Sequence, residues 1–265
     1  MSPDQDSLLT GAVIGAAIEV HRKLGPGADE PAYETALSSK LFKLGIAHEC
    51  QKPLMVIYKN VVLDCGYRMD ILVERRLPLE LKAVETLGPI QDAQILTYMR
   101  LGPFDLGLLL NFEVVALKDG IRRRVLSRTR RGFGESTIEE LDPDPVVTKL
   151  LRSAVEVYQT MGRGLLRSCY EECLCYELAT RGVPFQRKFK VPLRFEETEL
   201  GYSAELPLVV AGQFPVICLS VAVLTYLHEA ILKARLRQTG MKVGYLINFN
   251  SSDLGLGVRR LRPDN

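Results

Sequence analysis

The sequence predicts an α/β protein built as two tandem units, each a central mixed β-sheet flanked by helices in the order ααβββαβ. Three observations carry this. The chain repeats itself: Glu19-Val20-His21-Arg22-Lys23-Leu24-Gly25-Pro26-Gly27 is answered by Glu156-Val157-Tyr158-Gln159-Thr160-Met161-Gly162-Arg163-Gly164. Tyr33-Glu34-Thr35-Ala36-Leu37 returns as Tyr170-Glu171-Glu172-Cys173-Leu174, and Leu110-Asn111-Phe112 as Ile247-Asn248-Phe249. The offset is 137 residues at these anchors and 135 at Gly66-Tyr67 and Gly201-Tyr202, which reads as a small loop deletion. Helical and strand-like apolar patterns then follow one another in the same order in both halves. Finally, 47% hydrophobic content over 265 residues supplies two ordinary packed cores.

In the first unit, Leu9, Val13, Ala16, Ala17, Val20 and Leu24 keep a helical period over 8–24, stopped by Gly25-Pro26-Gly27. A second helix is expected from 31 to 44, ending at Gly45. Strands follow at 53–58 and 61–73, turned at Lys59-Asn60, and at 77–84 after Glu74-Arg75-Arg76. Gly88-Pro89 opens a third helix to Arg100, and 104–112 reads as a buried strand. The second unit repeats the order with helices at 146–161, 168–181 and 224–238 and strands at 188–195, 199–210, 214–221 and 242–249.

The expected boundaries are therefore residues 1–130, a charged linker at 131–144, and residues 145–265. A net charge of +2 excludes a molecule that captures polyanions by bulk charge. Charge is instead local: Arg122, Arg123, Arg124, Arg128, Arg130 and Arg131 form a basic run ahead of an acidic stretch from Glu135 to Asp144. That pattern suits a solvated linker whose ends attract each other. It also makes these arginines candidate nucleic-acid contacts, a strap that grips phosphates.

Asp4 and Asp6 stand where a secretory signal would be positive, and Glu19, His21 and Arg22 interrupt the apolar run behind them. No stretch has the length of a membrane span, so a cytoplasmic protein with reduced thiols is expected. Cys169, Cys173 and Cys175 cluster, but a metal or iron–sulfur centre would need a fourth donor, for which Cys218 is the candidate. Small buried thiols on a packed helix are the simpler reading. His21, His48 and His228 are isolated and read as solvated or satisfied side chains.

The chemistry lies in what the second unit has lost. Aligned on the repeat, Asp70 becomes Glu205, Glu80 becomes Ile217, Lys82 becomes Leu219, Glu85 becomes Ala222 and Gln94 becomes Ile231. The apolar frame of Leu79, Leu81 and Val84 survives as Val216, Cys218 and Val221. Unpaired charges in a core are costly, so their retention in the first unit points to a bound ligand. Glu80 and Lys82 share a strand face because side chains alternate. A three-residue loop over 74–76 sets Asp70 opposite Glu80, whereas a two-residue loop would set it opposite Leu81.

Two carboxylates beside a lysine suit metal-assisted phosphodiester hydrolysis. Asp70 and Glu80 offer oxygen ligands to Mg²⁺ or Mn²⁺, which polarises the phosphate and lowers the pKa of a bound water. Lys82 orients that water or stabilises developing charge. Gln91, Gln94 and Tyr98 recur at i, i+3 and i+7, so one helix face presents Gln94 to the same cleft.

Together, Glu19 to Gly27, Tyr33-Glu34, Asp64-Cys65-Gly66-Tyr67-Arg68-Met69-Asp70, Leu79-Glu80-Leu81-Lys82-Ala83-Val84, Ala93-Gln94-Ile95-Leu96-Thr97-Tyr98 and Leu110-Asn111-Phe112 resemble the GxxExxxR protein family of the PD-(D/E)XK nuclease-like superfamily. The resemblance covers nearly all of residues 8–126. It implies that Asp70, Glu80 and Lys82 match the D…ExK motif and that Gln94 matches the helix glutamine of exonuclease-like branches. Glu34 is an additional candidate, matching an acidic residue that some members carry on an early helix. The implied activity is a divalent-metal-dependent nuclease acting on nucleic acid, DNA first. The second unit would then be an inactive built-in partner, an intramolecular pseudo-dimer. The rival expectation is a non-catalytic pseudo-nuclease that binds nucleic acid or protein, with a pure scaffold as a more distant third.

Overall fold

Helix α1 (Pro3–Leu24) buries Leu9, Val13, Ala16, Ala17 and Val20 on one stripe and stops at Gly25, whose φ of +71° no helix continues. The computed structural model describes residues 3–126 and 144–264. The chain divides into two units, whose described parts are residues 3–57 with 64–126 and residues 58–63 with 144–264. Among the described residues no helix is long and apolar enough to cross a membrane.

In the first unit, α2 (Glu30–Lys43) starts under an Asp29 cap that accepts the Ala32 N–H at 3.1 Å. Strands β1 (His48–Tyr58), β2 (Val61–Val73) and β3 (Leu77–Lys82) follow, then helix α3 (Pro89–Leu101) and strands β4 (Leu106–Asn111) and β5 (Ile121–Val125). The sheet runs β1-β2-β3-β4-β5, with β3 and β4 parallel and the β2–β3 and β4–β5 pairs antiparallel. A parallel pair needs a crossover, and α3 supplies it. Ile71, Val73, Leu79, Leu81, Leu108 and Leu110 pack with α1 and α2, while Leu72 and Leu109 pack with Ile95, Tyr98 and Met99 of α3. Buried on both faces, β3 and β4 read as near-continuous apolar runs. A Cβ at Gly107 would lie 2.9 Å from Ile95, so α3 sits this close only over glycine.

The second unit has the same plan: α4 (Pro145–Met161), α5 (Arg167–Thr180), β6 (Phe185–Phe195), β7 (Thr198–Val210), β8 (Phe214–Leu219), α6 (Tyr226–Thr239), β9 (Gly244–Asn248), a short α7 (Leu254–Gly257) and β10 (Val258–Leu261). Its sheet runs β10-β9-β8-β7-β6. The residues that both copies keep are fold residues. The Tyr33 hydroxyl donates to Gly25 O at 2.7 Å and its ring stacks on Phe112; Tyr170 does the same with Gly162 O, at 2.7 Å, and Phe249. Asn111 closes β4 by binding both the N–H and the C=O of Val84, at 3.1 and 2.7 Å, as Asn248 binds Val221 at 3.0 and 2.9 Å.

Three expectations change. Each sheet has a fifth strand: β5 pairs with β4 from Leu110↔Ile121 to Leu106↔Val125, and β10 pairs with β9. Ile121-Arg122-Arg123-Arg124-Val125 reads as a charged run in sequence because an edge strand tolerates charge on both faces. Strands β1 and β6 begin at His48 and Phe185, ahead of the expected 53 and 188. The third change concerns register. Ile71 pairs with Leu79 as Leu208 pairs with Val216, an offset of 137 on both strands. The counterpart of Asp70 is therefore Pro207, not Glu205. No loop is deleted: a left-handed glycine interrupts β2 at Gly66 and β7 at Gly201, two residues apart in the repeat, while the turns on either side keep step. A shift of two preserves which face each side chain occupies.

Candidate active site

The site begins with a turn. Glu74 and Arg75 adopt φ of +47° and +55°, and the ladder resumes at Val73↔Leu77, Leu72↔Pro78 and Ile71↔Leu79. The loop thus holds three residues, and the same register carried one residue past the last ladder pair sets Asp70 against Glu80. Asp70 Oδ2 accepts the Leu81 N–H at 2.7 Å, which ties its carboxylate to β3.

Glu80 is fully buried, between Leu79 and Leu81, which belong to the core on the other face of the sheet. Lys82 Nζ lies 2.6 Å from Glu80 Oε1 and 3.3 Å from Glu30 Oε2. Among the described residues, neither Glu80 oxygen accepts a well-aligned hydrogen bond. Burial, and then the neighbouring Asp70 charge, push the Glu80 carboxyl up to about 7 against the pull of Lys82. Burial also raises Asp70, against the Leu81 N–H that favours its charged form. For Lys82, burial alone would depress the ammonium, but Glu80, Asp70 and Glu30 together carry it above the ordinary lysine value. The result is a desolvated acidic pair with one lysine cation beside it, paired with Glu80 and Glu30.

Gln94 reaches this cluster through a second residue. Its Nε2 donates to the Tyr98 hydroxyl at 3.0 Å, and that hydroxyl donates to Arg68 O at 3.0 Å. Tyr98 is fully buried, and desolvation followed by the Glu80 charge raises its hydroxyl pKa far above the usual range. Glu34 accepts the Gln51 side-chain amide at 2.5 Å, and its charge contributes to the elevation of Asp70. Glu30 is the site residue that sequence reading missed. Its signal was available: at the same offset it becomes Arg167, alongside the other losses.

The basic run divides. Arg122 Nη1 lies 2.9 Å from Asp92 Oδ2, and Arg124 Nη2 2.6 Å from Asp92 Oδ1, so both pin β5 to α3. Arg123 is exposed, whereas Arg128, Arg130 and Arg131 lie outside the described residues.

The second unit presents an apolar counterpart. Ile217 and Leu219 replace Glu80 and Lys82 and pack with Leu206, Val209, Leu232, Leu236 and Leu246. Pro207 stands for Asp70, and Ile231 for Gln94. Arg167 Nε sits 3.2 Å from Glu171 Oε1, where the first unit has Glu30 and Glu34. Cys169, Cys173, Cys175 and Cys218 are buried and form no disulfide, and burial pushes Cys175 up to about 12. Among the described residues no group of three or more His, Cys, Asp or Glu is arranged to hold a metal. The histidines are satisfied: His21 Nε2 lies 2.9 Å from Val114 O, His48 meets Ser38 and Ile46, and His228 caps α6 at Thr225.

No curated protein and no solved structure matches the chain. A family profile described as the PD-(D/E)XK nuclease superfamily matches residues 7–124 and again residues 144–261. The match is at superfamily level, and the narrower GxxExxxR assignment remains a resemblance. The two matched spans coincide with the two copies of the repeat, and the chain belongs to the PD-(D/E)XK nuclease superfamily as a tandem duplication.

Proposed function

We propose that the first unit is a divalent-metal-dependent nuclease and that the second is its catalytically inactive copy. One observation carries the reading. A fully buried Glu80 lies close enough to Asp70 to be raised by its charge and is paired with Lys82 at 2.6 Å. A buried carboxylate whose close counter-charge is a single lysine is costly, and a hard cation relieves that cost. The donor set fits such an ion: Asp70 and Glu80 would hold Mg²⁺ or Mn²⁺, which would polarise the scissile phosphate and acidify its bound water.

The chain's own groups do the rest. Lys82 places a positive charge at the mouth of the pair, where it orients the attacking water or offsets charge developing on the phosphate. Asp70 is held by the Leu81 N–H, so its free oxygen keeps a defined direction. Gln94 holds the buried Tyr98 hydroxyl in place near the Glu80 charge. The substrate is nucleic acid, DNA first. Exposed Arg123 is a proposed phosphate contact, and Arg128, Arg130 and Arg131 are proposed to continue that contact along the chain. The second unit lacks both carboxylates and the lysine, and serves as a non-catalytic partner.

The test is calorimetric titration of Mn²⁺ into wild type and Asp70→Ala/Glu80→Ala, with a parallel cleavage assay on single- and double-stranded DNA and RNA. One ion per chain, lost in the double variant together with cleavage, is the expected result. Absence of both binding and cleavage in wild type sinks the reading.

A further inference from the structure

We propose that Glu30 is a positioning residue for Lys82 in the cleavage reaction, a role that rests on the nuclease reading above. Glu30 is the first residue of α2, where the helix N-terminus favours an anion. Its carboxylate bridges two groups at the C-terminal end of β3: Oε2 lies 3.3 Å from Lys82 Nζ, and Oε1 accepts the Ala83 N–H at 3.3 Å. Lys82 is thus gripped from two sides, by Glu80 in the core and by Glu30, 41% exposed, at the mouth.

The two partners are not equivalent once Glu80 is committed to a cation. The Lys82 ammonium then loses its closest counter-charge, and Glu30 keeps it at the opening instead of letting it swing into solvent. A lysine stem has four rotatable carbons and loses its aim readily without such a tether. The duplicated unit supports the pairing. Glu30 and Lys82 are replaced together, by Arg167 and Leu219, whereas Glu34 persists as Glu171. Of the two acids on α2, the one that touches the lysine is the one lost with it.

A simple capping role for Glu30 predicts a different outcome, and Glu30→Gln separates the two. The glutamine oxygen still accepts the Ala83 N–H, but the charge facing Lys82 is gone. Steady-state cleavage of DNA with Mn²⁺ is measured for wild type, Glu30→Gln and Glu30→Ala, with Mn²⁺ affinity by calorimetry. The expected result is a fall in kcat of about tenfold or more in both variants, with KM and Mn²⁺ affinity within about twofold of wild type. Wild-type kcat in Glu30→Gln, with loss only in Glu30→Ala, reduces Glu30 to a cap and overturns the proposal. Inactive wild type fails the nuclease reading itself and removes the role with it.

Discussion

The Lys82 ammonium lies 2.6 Å from Glu80 Oε1, inside a strand whose other residues are aliphatic or proline. That pair is the least comfortable element of the first unit. Removing both charges, as the second unit does with Ile217 and Leu219, makes the strand easier to fold. The first unit bears that cost at Glu80, and this makes the site testable by stability as well as by activity.

The metal-free protein should lose stability as pH rises from about 4.5 to about 7. Burial raises the Glu80 carboxyl from 4.5 to about 7. Between those values the folded state holds a proton that the unfolded state has released, so stability falls as pH rises. Full expression amounts to about 3 kcal/mol. Asp70 is raised as well and acts with the same sign from a lower starting pH. Lys82, raised above 10.5, keeps its stabilising effect throughout this window. Urea denaturation in EDTA across this range checks it, and Glu80→Gln should flatten the slope. A wild type without pH dependence contradicts the assignment.

Divalent ions should reverse that loss. At pH 8, Mn²⁺ at about 100 times its Kd should stabilise wild type by about 2.7 kcal/mol. Asp70→Ala/Glu80→Ala should show no increment. Thermal melts with and without Mn²⁺ decide this without reference to any substrate.

Lys82→Ala should reduce cleavage by about 100-fold or more while the fold persists. Circular dichroism and the melting midpoint report the fold, and a DNA cleavage assay reports activity. Activity near wild type would remove Lys82 from the mechanism.

The two clamp asparagines should matter to folding in the same way. Asn111→Ala and Asn248→Ala each leave a backbone N–H and C=O without their side-chain partner, at Val84 and Val221. Each should cost about 1–3 kcal/mol. Asn248→Ala should leave cleavage intact, which distinguishes a shared fold residue from a site residue.

Sequence alone determined the duplication, the order ααβββαβ up to the fifth strand of each sheet, and the face shared by Glu80 and Lys82. These follow from local patterns: the 137-residue repeat, the helical period of α1, and side-chain alternation along β3. The sequence leaves the length of the turn at 74–76 open, and the Val73↔Leu77 rung makes it three residues. Tertiary structure decided the rest. Only the strand ladder shows that Pro207, not Glu205, answers Asp70, because a glycine displaced by two residues misleads an alignment but leaves the register intact. Only packing shows Arg122 and Arg124 fastened to Asp92 across thirty residues of chain, and Glu30 brought to Lys82 across fifty-two. Periodicity reports on neighbours along one element, whereas these contacts depend on where separate elements meet.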